Sequence, residues 1–309
     1  MRRFPAFLLV GALLAAPALT AQSRPWTPPA IDSAQLLRDL SVLAHDSMEG
    51  RDAGTPGGAR ARRYLTERLR AMGYTPTEHA FSFTSRRASE PRDGRSLLVR
   101  VPGRSDTTRV LVVSAHYDHV GVRDGVVFNG TDDNASGTAA LLAIAQSLRK
   151  SPPAHTVLLA FWDAEEQGLR GARAWVDAPT IPLERVAANI NMDMVGRNVA
   201  GELYVAGGAK YPRFSPFLDS LAVGAPVILK RGHDAGSPSD DWTNQSDQGA
   251  FHAKGIPFLY FGVEDHPDYH KATDDFETIV PGFYVRAVQT VLEAVRRVDT
   301  RLATSAPPR

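Results

Sequence analysis

The chain of 309 residues contains no cysteine. That excludes thiolate metal ligands, a cysteine nucleophile and disulfide staples, so any metal centre must be built from nitrogen and oxygen donors. An excess of charge of one sign is missing too: 35 Lys and Arg offset 34 Asp and Glu, for a formal net charge of +1. With no block of like charge beyond scattered arginine pairs, nothing points to nucleic acid as a partner. Beyond residue 19 no apolar run is long enough to span a bilayer. What remains is ordinary for a soluble globular protein with a sizeable core: 8% aromatic and 22% charged residues.

At the N-terminus, Arg2 and Arg3 precede an apolar run from Ala6 to Leu19, followed by small residues through Ala21 and then polar Gln22, Ser23 and Arg24. This is the layout of a cleavable export signal over residues 1–21. It predicts a secreted or periplasmic protein with no stable membrane insertion once the signal is removed. Residues 22–30 read as an extended proline-rich segment, 31–302 as one globular domain, and 303–309 as a loose tail.

Within the domain, apolar periodicity predicts helices over 31–44, capped at Asp32 or Ser33, and over 55–73. Short strands are expected at 81–83 and 96–101, with Arg92-Asp93-Gly94 as the turn between them. A short apolar β-branched strand at 110–114, an apolar strand at 156–162 and buried strands at 187–192 and 256–262 then alternate with helices at 136–150, beginning over 168–176, and at 285–298. Apolar strands alternating with helices predict an α/β fold: a mostly parallel sheet covered on both faces. In open sheets of this kind, sites collect outside the carboxyl ends of the strands.

The residues with the most chemistry lie at those ends. They are His116 in His-Tyr-Asp-His, Asp133 in Asp-Asp-Asn-Ala-Ser-Gly, Glu165 and Glu166 after Asp163, Asp193 in Asn-Met-Asp-Met, and His270 in Asp-Tyr-His-Lys. Two histidines, two aspartates and one glutamate can hold two divalent metals that share a carboxylate. One glutamate is left over, and a metal-activated water needs a base, so the set points to hydrolysis. Asp118 is assigned as the carboxylate that orients the His116 ring, and His119 is the rival ligand within the same motif. Asp133 also suits a helix N-cap. Of the two adjacent glutamates, one can bind metal while its neighbour faces the water, because adjacent side chains in extended backbone diverge. A carboxylate at Asp193, at the exit of an apolar strand, needs a partner, either metal or Arg197. His270 follows His266, but Pro267 argues for a loop rather than a helical pair.

In this order the segments resemble peptidase family M28, the co-catalytic zinc aminopeptidases. The resemblance runs from about residue 46 to 279 and also includes Glu-Gly-Arg at 49–51 with Gly-Thr-Pro-Gly at 54–57, and Glu-Glu-x-Gly-Leu-x-Gly at 165–171. It implies the zinc-dependent exopeptidase fold and two Zn2+ per chain, with His116 and Asp193 on one and Glu166 and His270 on the other. Asp133 would bridge them, Glu165 would be the general base, and a cis peptide would follow Asp133. Nitrogen and oxygen donors also accept cobalt or manganese. The chain departs from many bacterial relatives in reading Ser246-Asp247-Gln248 where they read Ser-Asp-His. The stretch from Gly54 to His116 is also too short for the extra domain some relatives insert there.

The implied activity is release of N-terminal residues from peptides with a free N-terminus. A single-zinc glutaminyl cyclase and a carboxypeptidase-type M28 peptidase are the alternatives. Arg197, Tyr211, Trp242, Phe251 and Tyr269 are the candidate substrate contacts.

Overall fold

The computed structural model describes residues 26–86, 89–236 and 240–302; the expected export segment and tail lie outside them. Helix α1 (Ser33–Leu43) starts at Asp32, whose side chain accepts the Gln35 N–H, and α2 (Pro56–Ala71) starts at Thr55, whose hydroxyl accepts from Gly58. Both caps satisfy an N–H that the first helical turn leaves free.

Strands β1 (Thr77–Thr84) and β2 (Pro91–Val101) form an antiparallel pair that is longer than the sequence predicted. The Arg92-Asp93-Gly94 turn is a correction: all three residues lie inside β2, where Gly94 pairs with Phe81. A Cβ at Gly94 would stand 2.2 Å from the Phe81 ring, so the glycine makes room for an aromatic side chain. The two strands are joined instead beyond Thr84, where the Ser85 N–H donates to the Glu90 carbonyl.

Strand β3 (Asp106–His116) leads to a two-residue hairpin, β4 (Val122–Arg123) with β5 (Val126–Val127), then α3 (Gly137–Lys150) and β6 (His155–Trp162). After α4 (Arg170–Asp177) comes β7 (Val186–Met192). Next follow β8 (Glu202–Ala206), α5 (Ser215–Gly224), β9 (Ile228–Arg231) and α6 (Gln248–His252), none of which the sequence made legible. Strand β10 (Phe258–Gly262) and the long α7 (Pro281–Leu302) close the domain.

Eight strands form one mixed sheet in the order β1-β2-β6-β3-β7-β10-β8-β9, with β6, β3, β7 and β10 parallel at its centre. Every residue of β6 is buried, as expected of a strand covered on both faces. Leu111 and Val113 of β3 and Leu159 and Phe161 of β6 face the larger core with α1, α2, α3 and α7. The alternate residues Val110, Val112, Leu158, Ala160 and Trp162 face α4 and α6. Helix α3 is buried at every position from Gly137 to Ala145; its small residues let it lie close between sheet and outer helices.

Candidate metal centre

The parallel strands all end at one edge, and their final residues turn sharply there. Ala164 after β6 and Met194 after β7 both adopt left-handed backbone, with φ of 58° and 56°, as does His270 at 55°. Such conformations cost a non-glycine residue on the order of 1–2 kcal/mol. Three of them around a single site mark a local arrangement that surrounding contacts over-determine.

His116, the last residue of β3, is fully buried; its Nε2 lies 3.2 Å from Asp193 Oδ1 and 3.5 Å from Asp133 Oδ1. The other oxygen of Asp133 faces the opposite way, 3.0 Å from His270 Nε2, and His270 is 3.3 Å from Glu166 Oε2. Asp133 therefore stands between two histidine–carboxylate groups, one oxygen toward each. Two clusters have donor atoms within 4.8 Å of one another: His116, Asp133 and Asp193, and His119, Asp133 and Glu166. Four carboxylates (Asp133, Glu165, Glu166 and Asp193) converge at the cavity, and buried Glu166 Oε1 has no hydrogen-bond partner. This donor set fits divalent cations that prefer nitrogen and oxygen.

The supports of these groups are backbone hydrogen bonds. The Asp274 carboxylate accepts from the N–H groups of Asp132 and Asp133 at 3.0–3.1 Å, and Asp132 Oδ1 accepts from Gly196 at 2.7 Å. Asn134 follows the shared aspartate through the expected cis peptide. Its side chain donates to the Met192 carbonyl and accepts from Gly137 and Met194, tying the start of α3 to the end of β7. Arg51 of the Glu-Gly-Arg segment is fully buried and donates to the carbonyls of Leu43, Tyr117, Asn129 and Gly130. Burial lowers its pKa to about 10 even though Asp133 and Asp118 pull the other way, so it stays cationic behind the acid cluster.

Asp118 does not act quite as the sequence suggests. The nearest oxygen to His116 Nδ1 is the Asp118 carbonyl at 3.2 Å, with its carboxylate at 3.7 Å. That carboxylate also accepts the backbone N–H groups of Glu165 and Glu166.

Electrostatics separate the two glutamates. Burial pushes the Glu165 carboxyl well above the ordinary range; His116 opposes, while Asp247, Asp193 and Glu166 add to the rise. Burial acts the same way on Glu166, but the close approach of the His119 and His270 rings overcomes it and holds that group well below. Burial also raises Asp133, with Glu166 adding to it. Against burial, Asp133 and Glu166 lift His270 to about 10. The two adjacent carboxyls thus differ in proton affinity, Glu165 raised and Glu166 lowered.

Glu165 and the cluster open on a cavity of about 310 Å³ whose wall includes Trp242, Tyr269, Leu169, Met194 and Val263, with Arg86, Arg173 and Asp265 supplying charge. Trp242 and Tyr269 thus line this cavity. Three candidates do not. Phe251 is fully buried against Trp162 and Trp175, an apolar ring drawn into the core beneath α4 and α6. Tyr211 packs on Phe258, its hydroxyl 2.6 Å from His252 Nδ1. Arg197 is paired with Asp268, so it is the partner of that acid and of neither Asp193 nor the cavity. A larger hollow of about 590 Å³ lies at the other end of β7, lined by Arg185, Arg213 and Ile256 among others, but it holds none of the clustered donors.

Asp247 is a residue that sequence reasoning passed over. It is fully buried, neither carboxylate oxygen has a hydrogen-bond partner, and burial with Asp118 and Asp193 pushes it well up despite His116. The altered motif around it has a packing role: Gln248 donates to the Trp242 carbonyl at 2.7 Å and accepts from Asn191 at 3.0 Å. The glutamine in place of histidine thereby anchors the turn that carries Trp242.

A doubly covered sheet whose strand ends gather two histidine–carboxylate groups about one aspartate defines the class: the fold of the zinc-dependent exopeptidases. The sequence pattern of peptidase family M28 matches residues 96–295, and the chain belongs to that family. It is 33% identical over 193 residues to leupeptin-inactivating enzyme 1 of Streptomyces exfoliatus, covering 60% of this chain and 41% of that protein. Leucine aminopeptidase 2 of Trichophyton equinum is 27% identical over 238 residues, covering 73% and 46%. The chain thus spans less than half the length of these relatives. Among solved structures, a zinc aminopeptidase from Bacillus subtilis superposes with a TM-score of 0.74 at 17% identity, covering 88% of this chain and 96% of that one. A glutaminyl cyclase from Porphyromonas gingivalis gives 0.73 at 18% identity, covering 87% and 99%. At those identities the likeness is one of fold.

Proposed function

We propose that the protein is a two-zinc aminopeptidase whose peptidase domain spans residues 31–302 and which releases N-terminal residues from peptides with a free amino terminus. The observation that carries this reading is Asp133, with one carboxylate oxygen toward His116 and Asp193 and the other toward His270 and Glu166. His116, Asp133 and Asp193 would hold one zinc, and Asp133, Glu166 and His270 the other. Zinc supplies Lewis acidity toward water and toward a peptide carbonyl.

The chain's own groups provide the rest. Glu165 faces the cavity and takes a proton from the attacking water, then returns it to the departing amine; its high proton affinity suits both transfers. Asp118 fixes the backbone from which Glu165 and Glu166 project. Trp242 and Tyr269 shape the cavity, and its apolar lining by Leu169, Met194 and Val263 favours an uncharged side chain on the released residue. The names of the leucine aminopeptidase and leupeptin-inactivating relatives accord with a peptide substrate.

The test is hydrolysis of matched peptides blocked at one end, with zinc counted in the same sample. Cleavage of C-amidated but not N-acetylated peptides, lost on chelation, is the expected result. Cleavage that requires a free carboxylate would replace this reading with the carboxypeptidase type. Cyclisation of N-terminal glutamine with one zinc per chain would replace it with the cyclase type. We also infer export through residues 1–21, supported by the basic start and the apolar run. A mature N-terminus near residue 22 is expected by mass spectrometry, and an intact N-terminus in the secreted fraction would contradict it.

A further inference from the structure

His119 has no place in the ligand scheme above, yet the structure is built around it. Its ring is fully buried, with Nδ1 2.8 Å from Glu166 Oε1 and 3.8 Å from Asp133 Oδ2. The approach lies outside hydrogen-bonding geometry: neither ring nitrogen, nor Glu166 Oε1, has a hydrogen-bond partner. Two buried polar groups facing each other without a bond is an arrangement proteins avoid, and a cation shared by both resolves it. The loop carrying Asp133 makes space for the ring. Gly130 has φ +54°, and a Cβ there would stand 2.3 Å from two His119 ring carbons. On the other side of the same carboxylate lies His270, its ring centroid 5.9 Å from that of His119.

We propose that His119 is a further protein ligand of the cation held by Glu166 and His270. That position then has four protein donors: His119, Asp133, Glu166 and His270. The other has three: His116, Asp133 and Asp193. A metal held by four side chains is closed in the manner of structural sites, whereas three donors leave a position open to water or substrate. The two cations are therefore unequal: the His119 position is the tighter one, and the His116 position is the first to empty on chelation. The proposal rests on the two-zinc reading.

The two can be tested apart. Elemental analysis of the zinc-loaded full chain comes first: two cations are expected, and fewer overturn the two-zinc reading and the proposal with it. The chain is then labelled with 15N-histidine and loaded with 113Cd, and imidazoles with one-bond cadmium coupling are counted. Three such rings support the proposal; two, assigned to His116 and His270, overturn it and leave the two-metal reading intact. This count uses the wild-type chain, so it stands even if variants fold poorly. In chelator competition, His119→Ala should weaken the tighter zinc by at least about tenfold while changing the looser one much less. Unchanged affinities, or equal losses at both positions, overturn the proposal.

Discussion

The Asp118 carboxylate accepts the backbone N–H of Glu165 at 3.0 Å and, through its other oxygen, that of Glu166 at 3.2 Å. A residue just past the end of β3 therefore sets the direction in which the acids after β6 project. Asp118→Asn keeps the size of the side chain but offers a single acceptor oxygen, leaving one N–H facing an amide donor. Turnover should fall about 100-fold, because misplacement on the order of 1 Å costs that much. Steady-state kinetics on a free-amine peptide decide it; wild-type turnover would mean that other contacts hold the loop.

Glu165→Gln is nearly isosteric and cannot take a proton. Turnover should drop by roughly 10²–10⁴-fold, with zinc content and melting temperature kept. Activity near wild type would move the base to another group, and Asp247 is the buried acid to examine next.

Arg51 joins α1, the segment after β3 and the 129–130 loop through four backbone carbonyls, of which that of Gly130 also accepts the Ala135 N–H. Arg51→Met fills similar volume and removes this donor from all four carbonyls. Each buried unsatisfied group costs about 1–3 kcal/mol, so a total loss of at least about 3 kcal/mol is expected. Urea denaturation measures it, and a loss under about 1 kcal/mol would mean that water or relaxation replaces the guanidinium.

Trp242 and Phe251 separate binding from stability. Phe251→Ala removes a ring packed on Trp162 and Trp175 and should cost about 3–5 kcal/mol, with KM nearly unchanged in the fraction that folds. Trp242→Ala opens the cavity wall and should raise KM while costing less stability. The reverse pattern would place the substrate elsewhere.

Asp241 caps the turn that carries Trp242, accepting the Thr243 N–H at 2.9 Å. Burial works against its charge, but hydrogen bonds from Thr243 and Lys210 hold its pKa down from 3.8 to about 2. A depressed carboxylate stabilises the fold above its unfolded pKa and loses that contribution as pH falls through the folded value. The melting temperature of the wild type should exceed that of Asp241→Ala near pH 5, and the gap should close as pH approaches 2. A constant gap would assign the effect to packing.

The strands that ended up at the centre of the sheet were the legible ones. Val110–Val113 and Val157–Trp162 are continuous apolar runs, and Ala187–Met192 is apolar apart from buried Asn189 and Asn191; burial on both faces favours that composition. The hidden elements lie toward the sheet edge and beyond. Strand β9 has the burial pattern exposed, intermediate, intermediate, exposed, and it includes Lys230 and Arg231, so it carries no periodicity to read. Gly94 was misread because a glycine that admits a neighbouring ring looks, in one dimension, like a glycine that turns the chain.

From its residues alone this chain determined an α/β fold, a nitrogen–oxygen donor set and the strand ends that carry it, because hydrophobic period and residue chemistry are local properties. The tertiary structure decided which donors meet. It brought His119 against Glu166, set the Asp118 carboxylate on the Glu165 and Glu166 backbone as well as near His116, and sent Phe251 into the core while leaving Trp242 on the cavity. Those outcomes depend on distances between side chains far apart in sequence, and such distances are set only when the two faces of the sheet are packed.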